Sequence, residues 1–206
     1  EAIDEATGKR LAIKKLRDNR IGHQQASHLF ASEYYVLAQL AHPRVIAVYD
    51  YQTPPEGAFY TMVVLVGGDL AAKEVLPWRE VCAVLCDICS ALSLIHSRRF
   101  VHRDVTPRNI RRTHDGKAKL IDFGAMVPFG THKRALGTPR FCSPEVVMGQ
   151  PLDGRADLYS LGATAYLALT GRYAYRAQTF DDLRNAWRSR PALPSRQPGR
   201  PDDSGD

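Results

Sequence analysis

The stretch FVHRDVTPRNIRRTHDGKAKLIDFG, residues 100–124, carries two carboxylates and an amide at a spacing that could support catalysis. Asp104 is followed five residues later by Asn109, and Asp122 stands thirteen residues beyond that asparagine. A carboxylate such as Asp104 could orient an incoming hydroxyl group and accept its proton. Asn109 and Asp122 offer the hard oxygen ligands that suit Mg²⁺ bridging phosphates. Each residue alone is also consistent with turn or cap chemistry beside Pro107 or Gly124, but the joint spacing favours phosphoryl transfer.

A further carboxylate lies within an apolar helical pattern upstream. Phe30, Glu33, Leu37 and Leu40 share one face of a predicted helix, and burial of Glu33 would cost several kcal/mol unless a cation meets it. Lys14, in the alternating segment Leu11-Ala12-Ile13-Lys14, is the candidate cation. By itself this pattern is equally consistent with a glutamate at the edge of the stripe and a lysine in solvent.

The elements that must position these residues follow from hydrophobic periodicity. The first part of the chain has the pattern of a small β-rich layer with one helix, and the part after Gly67-Gly68 is mainly helical. Asp115-Gly116 indicates a hairpin turn, and the segment 64–68 is the expected hinge. The predicted strands are 9–16, 45–51, 59–66, 109–113 and 117–121, and the predicted helices are 24–41 and 78–97.

Composition excludes several classes of function. Lys and Arg total 28 against 22 Asp and Glu in 206 residues, but no run of five like charges occurs, so we expect no nucleic-acid partner. We expect no signal peptide and no membrane segment in the sequence as given. Cys82, Cys86 and Cys89 recur at helical spacing, which favours buried packing over metal binding, and four cysteines of this kind suit a reducing compartment such as the cytoplasm.

The motifs together resemble the eukaryotic-like (Hanks-type) protein kinase family. The resemblance rests on His102-Arg103-Asp104, Asn109 and Asp122-Phe123-Gly124, preceded in the correct order by Lys14 and Glu33. The segment 137–145, GTPRFCSPE, is similar to the family's substrate-docking segment, and 157–162, DLYSLG, to the start of its central helix. The sequences of the segments LIDFGAM and GTPRFCSPEVV are most similar to those of the bacterial Ser/Thr kinases.

This resemblance implies an α+β fold with two lobes. Residues 1–66 would form a small β-rich N-lobe, residues 67–190 a mainly helical C-lobe, and residues 191–206 a disordered tail. Both lobes would be incomplete, because no Gly-rich loop precedes Lys9 and nothing after Arg190 resembles the family's last helices. We therefore expect the chain as written to bind ATP loosely.

The implied activity is transfer of the ATP γ-phosphate to Ser or Thr hydroxyls of protein substrates, with Mg²⁺ as the metal. By resemblance, Asp104 is the catalytic base, and Lys14, held by Glu33, pairs with the α- and β-phosphates. Asn109 and Asp122 would bind the metal, while Val64 and Val66 lie in the hinge that faces adenine. The activation segment would include Arg103, Thr131, Thr138 and Glu145, with Thr131 as the better candidate for a phosphate that Arg103 binds and Thr138 beside the substrate.

Three departures from the family pattern raise further hypotheses. Thr106 replaces the usual lysine two residues after the catalytic aspartate, and Arg108 is expected to supply the missing charge unless it points to solvent. Thr106 would then hydrogen-bond Asp104. Arg111 stands where an aliphatic residue normally lies under adenine, so its guanidinium could lie flat on the base or the strand could be offset.

Two other functions remain as alternatives. A non-catalytic pseudokinase or scaffold would bind nucleotide or partners without turnover, and the intact Lys14, Asp104, Asn109 and Asp122 argue against it. A small-molecule kinase is disfavoured because that class lacks the docking segment at 137–145.

Overall fold

The N-terminal part of the chain folds as a twisted antiparallel sheet covered by one helix. A computed structural model describes residues 1–16, 23–71, 75–132 and 135–189. The sheet has the order β1-β2-β4-β3, and helix α1 packs on it through Phe30, Leu37 and Leu40, which recur at helical spacing and are buried. The elements are β1 (Ala2–Ile3), β2 (Arg10–Lys15), α1 (His23–Gln39), β3 (Val48–Gln52) and β4 (Phe59–Val63).

The second part is mainly helical, with two small antiparallel ladders that carry the polar residues. One ladder pairs β5 with β8 and the other pairs β6 with β7 around the Asp115-Gly116 turn. Helix α4 (Gly154–Thr170) is capped at its start by Asp153, whose carboxylate accepts a hydrogen bond from the Arg155 amide. It is followed by Gly171 in a left-handed conformation. The elements are α2 (Trp78–Ser97), β5 (Phe100–Val101), β6 (Ile110–Arg112), β7 (Ala118–Leu120), β8 (Val127–Pro128), α3 (Pro144–Met148), α4 (Gly154–Thr170) and α5 (Phe180–Ser189).

One hydrophobic core runs through both parts. Phe30 and Tyr60 from the small sheet layer belong to the same buried cluster as Ile88, Leu120 and Leu161 from the helical part. The backbone also crosses between them, because the Ile46 amide donates to the Leu120 carbonyl at 3.0 Å and the Leu120 amide to the Arg44 carbonyl at 2.8 Å. The two parts are therefore mechanically coupled at the strands that flank the polar cluster.

The predicted elements are largely confirmed. The hairpin at 109–121 and the helix at 78–97 occur as expected, while the predicted strand 45–51 begins only at Val48. Val45 instead forms an isolated parallel bridge with Leu120 of β7, which belongs to the helical part. The strand predicted for 59–66 ends at Val63, and the hinge at 64–68 contains no strand. The predicted disordered tail, 191–206, lies outside the described residues.

The prediction of buried cysteines on α2 is wrong. Cys82, Cys86 and Cys89 are exposed, whereas Cys142 is buried. Helix α2 buries one face only, and the cysteines lie off that face among the residues that its neighbours leave uncovered. The buried residues of α2 are Val81, Val84, Ile88, Ala91, Leu92 and Ile95.

Helix α2 also has the length and composition of a membrane-crossing helix, with 20 residues and a mean hydropathy of 1.5. It is the single helix of this kind in the part of the chain that the structure describes. Its contacts are those of a core helix, since it packs against α4 and β7. Length and hydropathy alone do not distinguish these two situations.

Candidate functional site

Lys14, Glu33 and Asp122 form a charged cluster where the two parts of the chain meet. The Lys14 ammonium lies 2.7 Å from Glu33 Oε1 and 2.8 Å from Asp122 Oδ1. Glu33 Oε1 also accepts a hydrogen bond from the Tyr60 hydroxyl at 3.0 Å and one from the Phe123 amide at 3.2 Å. The cation expected for the carboxylate in the apolar stripe of α1 is therefore present, and that carboxylate is well bonded although it is buried.

Electrostatics fix the charge of this cluster. Burial opposes protonation of Lys14, but the carboxylates of Glu33 and Asp122 outweigh it and raise the pKa of the ammonium. Burial would raise the pKa of Asp122, yet the neighbouring Lys14 holds the pKa of that carboxyl below its ordinary value. Lys14 thus stays cationic and Asp122 anionic at neutral pH, as phosphate and metal binding would require.

Asp104 is held by hydrogen bonds from two directions. Its Oδ1 accepts from the Thr138 hydroxyl at 2.8 Å and the Thr138 amide at 3.1 Å, and its Oδ2 accepts from Asn109 Nδ2 at 2.7 Å. Gly137 permits this approach, because it has φ +124° and an added Cβ would lie 2.7 Å from the Arg103 carbonyl. The carboxylate is oriented while one edge still faces a cavity.

The loop before Asp104 is anchored by a buried aspartate that sequence reasoning did not select. Asp157, on α4, accepts hydrogen bonds from the amide of His102 at 2.9 Å, the amide of Arg103 at 2.8 Å and the ring of His96 at 2.8 Å. These bonds hold Arg103 at φ +66°, an uncommon conformation for a residue with a side chain. A carboxylate at the start of an otherwise apolar helix was the available signal.

His102 supports this loop by packing. Its ring is fully buried and stands edge-on to Phe123, with ring centroids 4.7 Å apart. Burial lowers the pKa of His102, although nearby carboxylates oppose that shift. The ring is therefore neutral at physiological pH.

Arg111 interacts with residues of the hinge region. Its guanidinium lies 3.3 Å from Asp69 Oδ2 and donates to the Leu65 carbonyl at 3.5 Å. Strand β6 pairs with β7 in regular register, with Arg111 opposite Lys119. Val64 is half-buried and Val66 is exposed beside it, so the hinge backbone borders an open edge. The ion pair with Asp69 is compatible with either expectation for Arg111, so the flat guanidinium and the offset strand both stay predictions.

An open cavity of about 300 Å³ lies beside the two acidic side chains. Asp104 and Asp122 both line it, so a phosphate would need a bound cation there to offset the repulsion of the two carboxylates. The Asn109 amide nitrogen is bonded to the carbonyl and carboxylate of Asp104, which leaves the amide oxygen as the ligand it can offer. Within the described ranges no group of three His, Cys, Asp or Glu residues could hold a metal alone. The donor set fits Mg²⁺, which takes one or two protein oxygens and completes its shell with phosphates and water.

The remaining predicted site residues lie elsewhere. Arg108 is exposed and lines a second cavity with Thr106 and Thr138. Thr106 is buried, and the predicted bond from Thr106 to Asp104 is wrong: in the described structure Thr138 fills that place.

The activation-segment residues occupy separate positions. Arg103 donates from Nε to the Ala125 carbonyl at 2.6 Å, and burial lowers the pKa of its guanidinium. Thr131 is exposed. Glu145 lies in the first turn of α3 and is half-buried. The phosphate-binding role of Arg103 and the phosphorylation of Thr131 stay predictions.

Comparisons with known proteins agree with this geometry. Residues 1–196 match the profile of the protein kinase domain family. The chain is 32% identical over 190 residues to human serine/threonine-protein kinase ULK1, covering 84% of this chain and 18% of that protein. It is 33% identical over 180 residues to Pkn1 of Myxococcus xanthus, covering 82% of this chain and 26% of that protein. It is 32% identical over 186 residues to PknA of Mycobacterium tuberculosis, covering 84% of this chain and 43% of that protein. The chain spans less than half the length of each of these relatives.

Proposed function

Because the chain belongs to the protein kinase domain family, we propose that it is the catalytic part of an ATP-dependent protein serine/threonine kinase. The observation that carries the proposal is that Asp104 and Asp122 line one cavity, with Asp122 ion-paired to Lys14. The names of the relatives, all serine/threonine-protein kinases, support the choice of substrate hydroxyl. The proposal includes a cytoplasmic location, supported by free cysteines and by ATP as phosphoryl donor.

Asp104 is assigned to the acceptor hydroxyl. Its two oxygens are fixed by Thr138 and Asn109, so the carboxylate can orient the hydroxyl and accept its proton as the bond to phosphorus forms. Preorganisation of this kind lowers the entropy cost of aligning the hydroxyl group with the phosphate. Thr138 belongs to the acceptor side of the site for the same reason.

Lys14 and Asp122 are assigned to the nucleotide side. Glu33 holds the Lys14 ammonium in place, where it can bind the α- and β-phosphates of ATP. Asp122 and Asn109 would hold Mg²⁺, which would neutralise charge on the phosphate oxygens. Asp122 contacts Lys14 through Oδ1 at 2.8 Å, so Oδ2 is the oxygen that it could offer to the metal without losing that contact. Val64 and Val66 are assigned to adenine through their backbone groups.

Replacement of Asp104 tests the proposal. In the full-length protein, Asp104→Asn is expected to lower turnover at least about a hundredfold with little change in ATP affinity, because the residue acts on the alcohol. Transfer of radiolabelled phosphate to a generic basic protein, followed by phosphoamino-acid analysis, measures both activity and acceptor type. Asp50→Asn, an exposed aspartate on β3, is the matched control.

Full activity of Asp104→Asn would remove the kinase assignment. Predominant phosphotyrosine in the product would leave a kinase but overturn the serine/threonine specificity. Nucleotide binding without transfer in the unmodified chain would favour the pseudokinase alternative.

A further inference from the structure

A second cavity, of about 340 Å³, opens beside the acceptor side of the site and is lined by two arginines. We call it the arginine cavity. Its lining includes Thr106, Arg108, Thr138, Arg140, Tyr173 and Gln178. No acidic residue is found among its described lining residues. Its local charge is therefore positive.

The arginine cavity adjoins the cavity beside Asp104, because Thr138 lines both. Thr138 lines the cavity and also donates two hydrogen bonds to Asp104, while Thr106 follows Asp104 by two residues. An extended peptide advances about 3.3–3.6 Å per residue. If the acceptor residue lies at Asp104, a side chain within about three residues of it reaches the arginine cavity.

Arg140 is held in place before any substrate binds. Its Nε donates to the Ala177 carbonyl at 2.8 Å, and its guanidinium carbon lies 4.3 Å from the centre of the Tyr173 ring. The terminal nitrogens of Arg140 have no acceptor among the described residues, and neither does the exposed side chain of Arg108. A fixed guanidinium of this kind binds carboxylate or phosphate oxygens through paired hydrogen bonds.

We propose that Arg140, with Arg108, selects protein substrates that carry an anionic side chain within about three residues of the phosphorylated hydroxyl. The anion is either a carboxylate or a phosphate on a previously modified residue, since both present the same oxygens to a guanidinium. The inference rests on the proposed kinase function. Arg140 carries the test, because Arg108 is also assigned to the charge of the transferred phosphate.

A series of peptide substrates measures this selectivity in the full-length protein. Each peptide has one serine in a neutral background and carries Glu, phosphoserine, Gln or Arg at one position from three before to three after the acceptor. We expect kcat/KM for the best Glu or phosphoserine peptide to exceed that of its Gln counterpart by about ten- to a hundredfold, the range of a hydrogen bond to a charged group. The ratio of Glu to phosphoserine peptides identifies the preferred anion.

Charge reversal separates recognition from a structural role. Arg140→Glu should reverse the preference, so that the Arg peptide becomes better than the Glu peptide, while Arg140→Lys should keep the preference for anions. Arg79→Glu makes the same charge change on an exposed position of α2 and should leave the preference intact. Loss of rate on all peptides alike in Arg140→Glu would overturn the proposal, because a packing defect has no charge selectivity.

Failure of this proposal and failure of the kinase function are distinguishable. Equal phosphorylation of Glu, Gln and Arg peptides would overturn the anion preference and leave the kinase function standing. If no peptide is phosphorylated, fluorescence anisotropy of the labelled peptides still decides the question. Binding of the anionic peptides that is tighter than that of neutral ones and lost in Arg140→Glu supports the arginine cavity, and equal binding overturns it.

Discussion

At the scale of single residues, the site has a stable ion pair, and it has a threonine at a position where the family usually has a lysine. Lys14 and Asp122 keep opposite charges, and Thr138 orients Asp104. Thr106, which replaces a cation of the family pattern, is buried, and the described partners of the Asp104 carboxylate are Thr138 and Asn109 instead. The charge that the transferred phosphate needs must therefore come from Lys14, from metal, or from a side chain that moves on binding, for which Arg108 is the nearest candidate in sequence.

Arg108→Ala tests whether that side chain contributes to the transition state. If it does, kcat/KM should fall on every peptide by an amount equivalent to about 2–4 kcal/mol of transition-state stabilisation, as removal of one preorganised charge-stabilising group does. Thr106→Ala should lose clearly less, and Thr106→Lys should partly restore Arg108→Ala. Steady-state kinetics on neutral peptides measures these effects. Additive losses without rescue in the double variant contradict the shared role, and a loss confined to anionic peptides leaves Arg108 with substrate selection alone.

His102 gives the fold a defined pH dependence. Burial holds the pKa of the folded-state ring below the ordinary value of 6.5, so the unfolded chain binds a proton more readily. The stability is complete above about pH 6.5 and falls as the pH drops through that value, by at most about 1.4 kcal/mol per pH unit for one proton.

Denaturant unfolding of the chain at pH 7.5 and pH 5.5 measures this slope, and His102→Phe should reduce it whatever its stability at pH 7.5. His42, whose pKa is also lowered by burial and by nearby cations, contributes in the same direction, and His42→Phe is the comparison. An unchanged slope in His102→Phe would show that the ring is protonated inside the fold.

At the scale of elements, α2 shows how one helix can have an apolar sequence and still expose a reactive face. Its buried face packs on α4 and β7, and the opposite face carries Cys82, Cys86 and Cys89. A free thiol packs as a small hydrophobe, so its presence in an apolar pattern does not reveal which side of the helix its neighbours cover.

Alkylation of the native chain distinguishes the two kinds of cysteine. Cys82, Cys86 and Cys89 should react in the folded state, with Cys89 slowed because burial and the neighbouring Cys86 raise its pKa. Burial raises the pKa of Cys142 to about 12, so this thiol should stay protected until the chain unfolds. A time course with peptide mapping by mass spectrometry measures each site. Rapid reaction of Cys142 in the native protein would contradict its buried position.

At the scale of the whole molecule, the two parts share one core. Leu120 is fully buried in it and is hydrogen-bonded to the backbone at Arg44 and Ile46, so it connects the sheet layer to the helical part. This continuity keeps Lys14, on β2, and Asp122, directly after β7, in one cluster.

Leu120→Ala is expected to destabilise the whole chain by about 2–5 kcal/mol, as truncation of a fully buried leucine does. Because the core is continuous, unfolding should remain a single transition, with far-UV circular dichroism and the combined fluorescence of Trp78 and Trp187 giving coincident curves. Leu158→Ala, at a position 50% exposed on α4, is the control and should cost much less. Two separated transitions would show that the parts unfold independently.

Local patterns were sufficient for a large share of this protein. The alternation at Leu11–Lys14, the helical spacing from Phe30 to Leu40 and the Asp115-Gly116 turn predicted elements that the structure contains. The pattern left the pairing of Lys14 with Glu33 as one of two equal alternatives, and the resemblance to the kinase family favoured it. The order of the motifs predicted the family, since each motif is a short contiguous segment.

Tertiary structure alone decided which partner each polar or ambiguous side chain has. Arg111 binds Asp69 and Leu65, Thr138 takes the place expected for Thr106 at Asp104, and Asp157 anchors the loop from another helix. These contacts join residues 34 to 55 positions apart in the sequence. Sequence spacing therefore does not tell which of several possible partners each side chain takes. The physical reason is that periodicity reports which residues are apolar, whereas burial and pairing depend on which neighbours the completed fold brings against them.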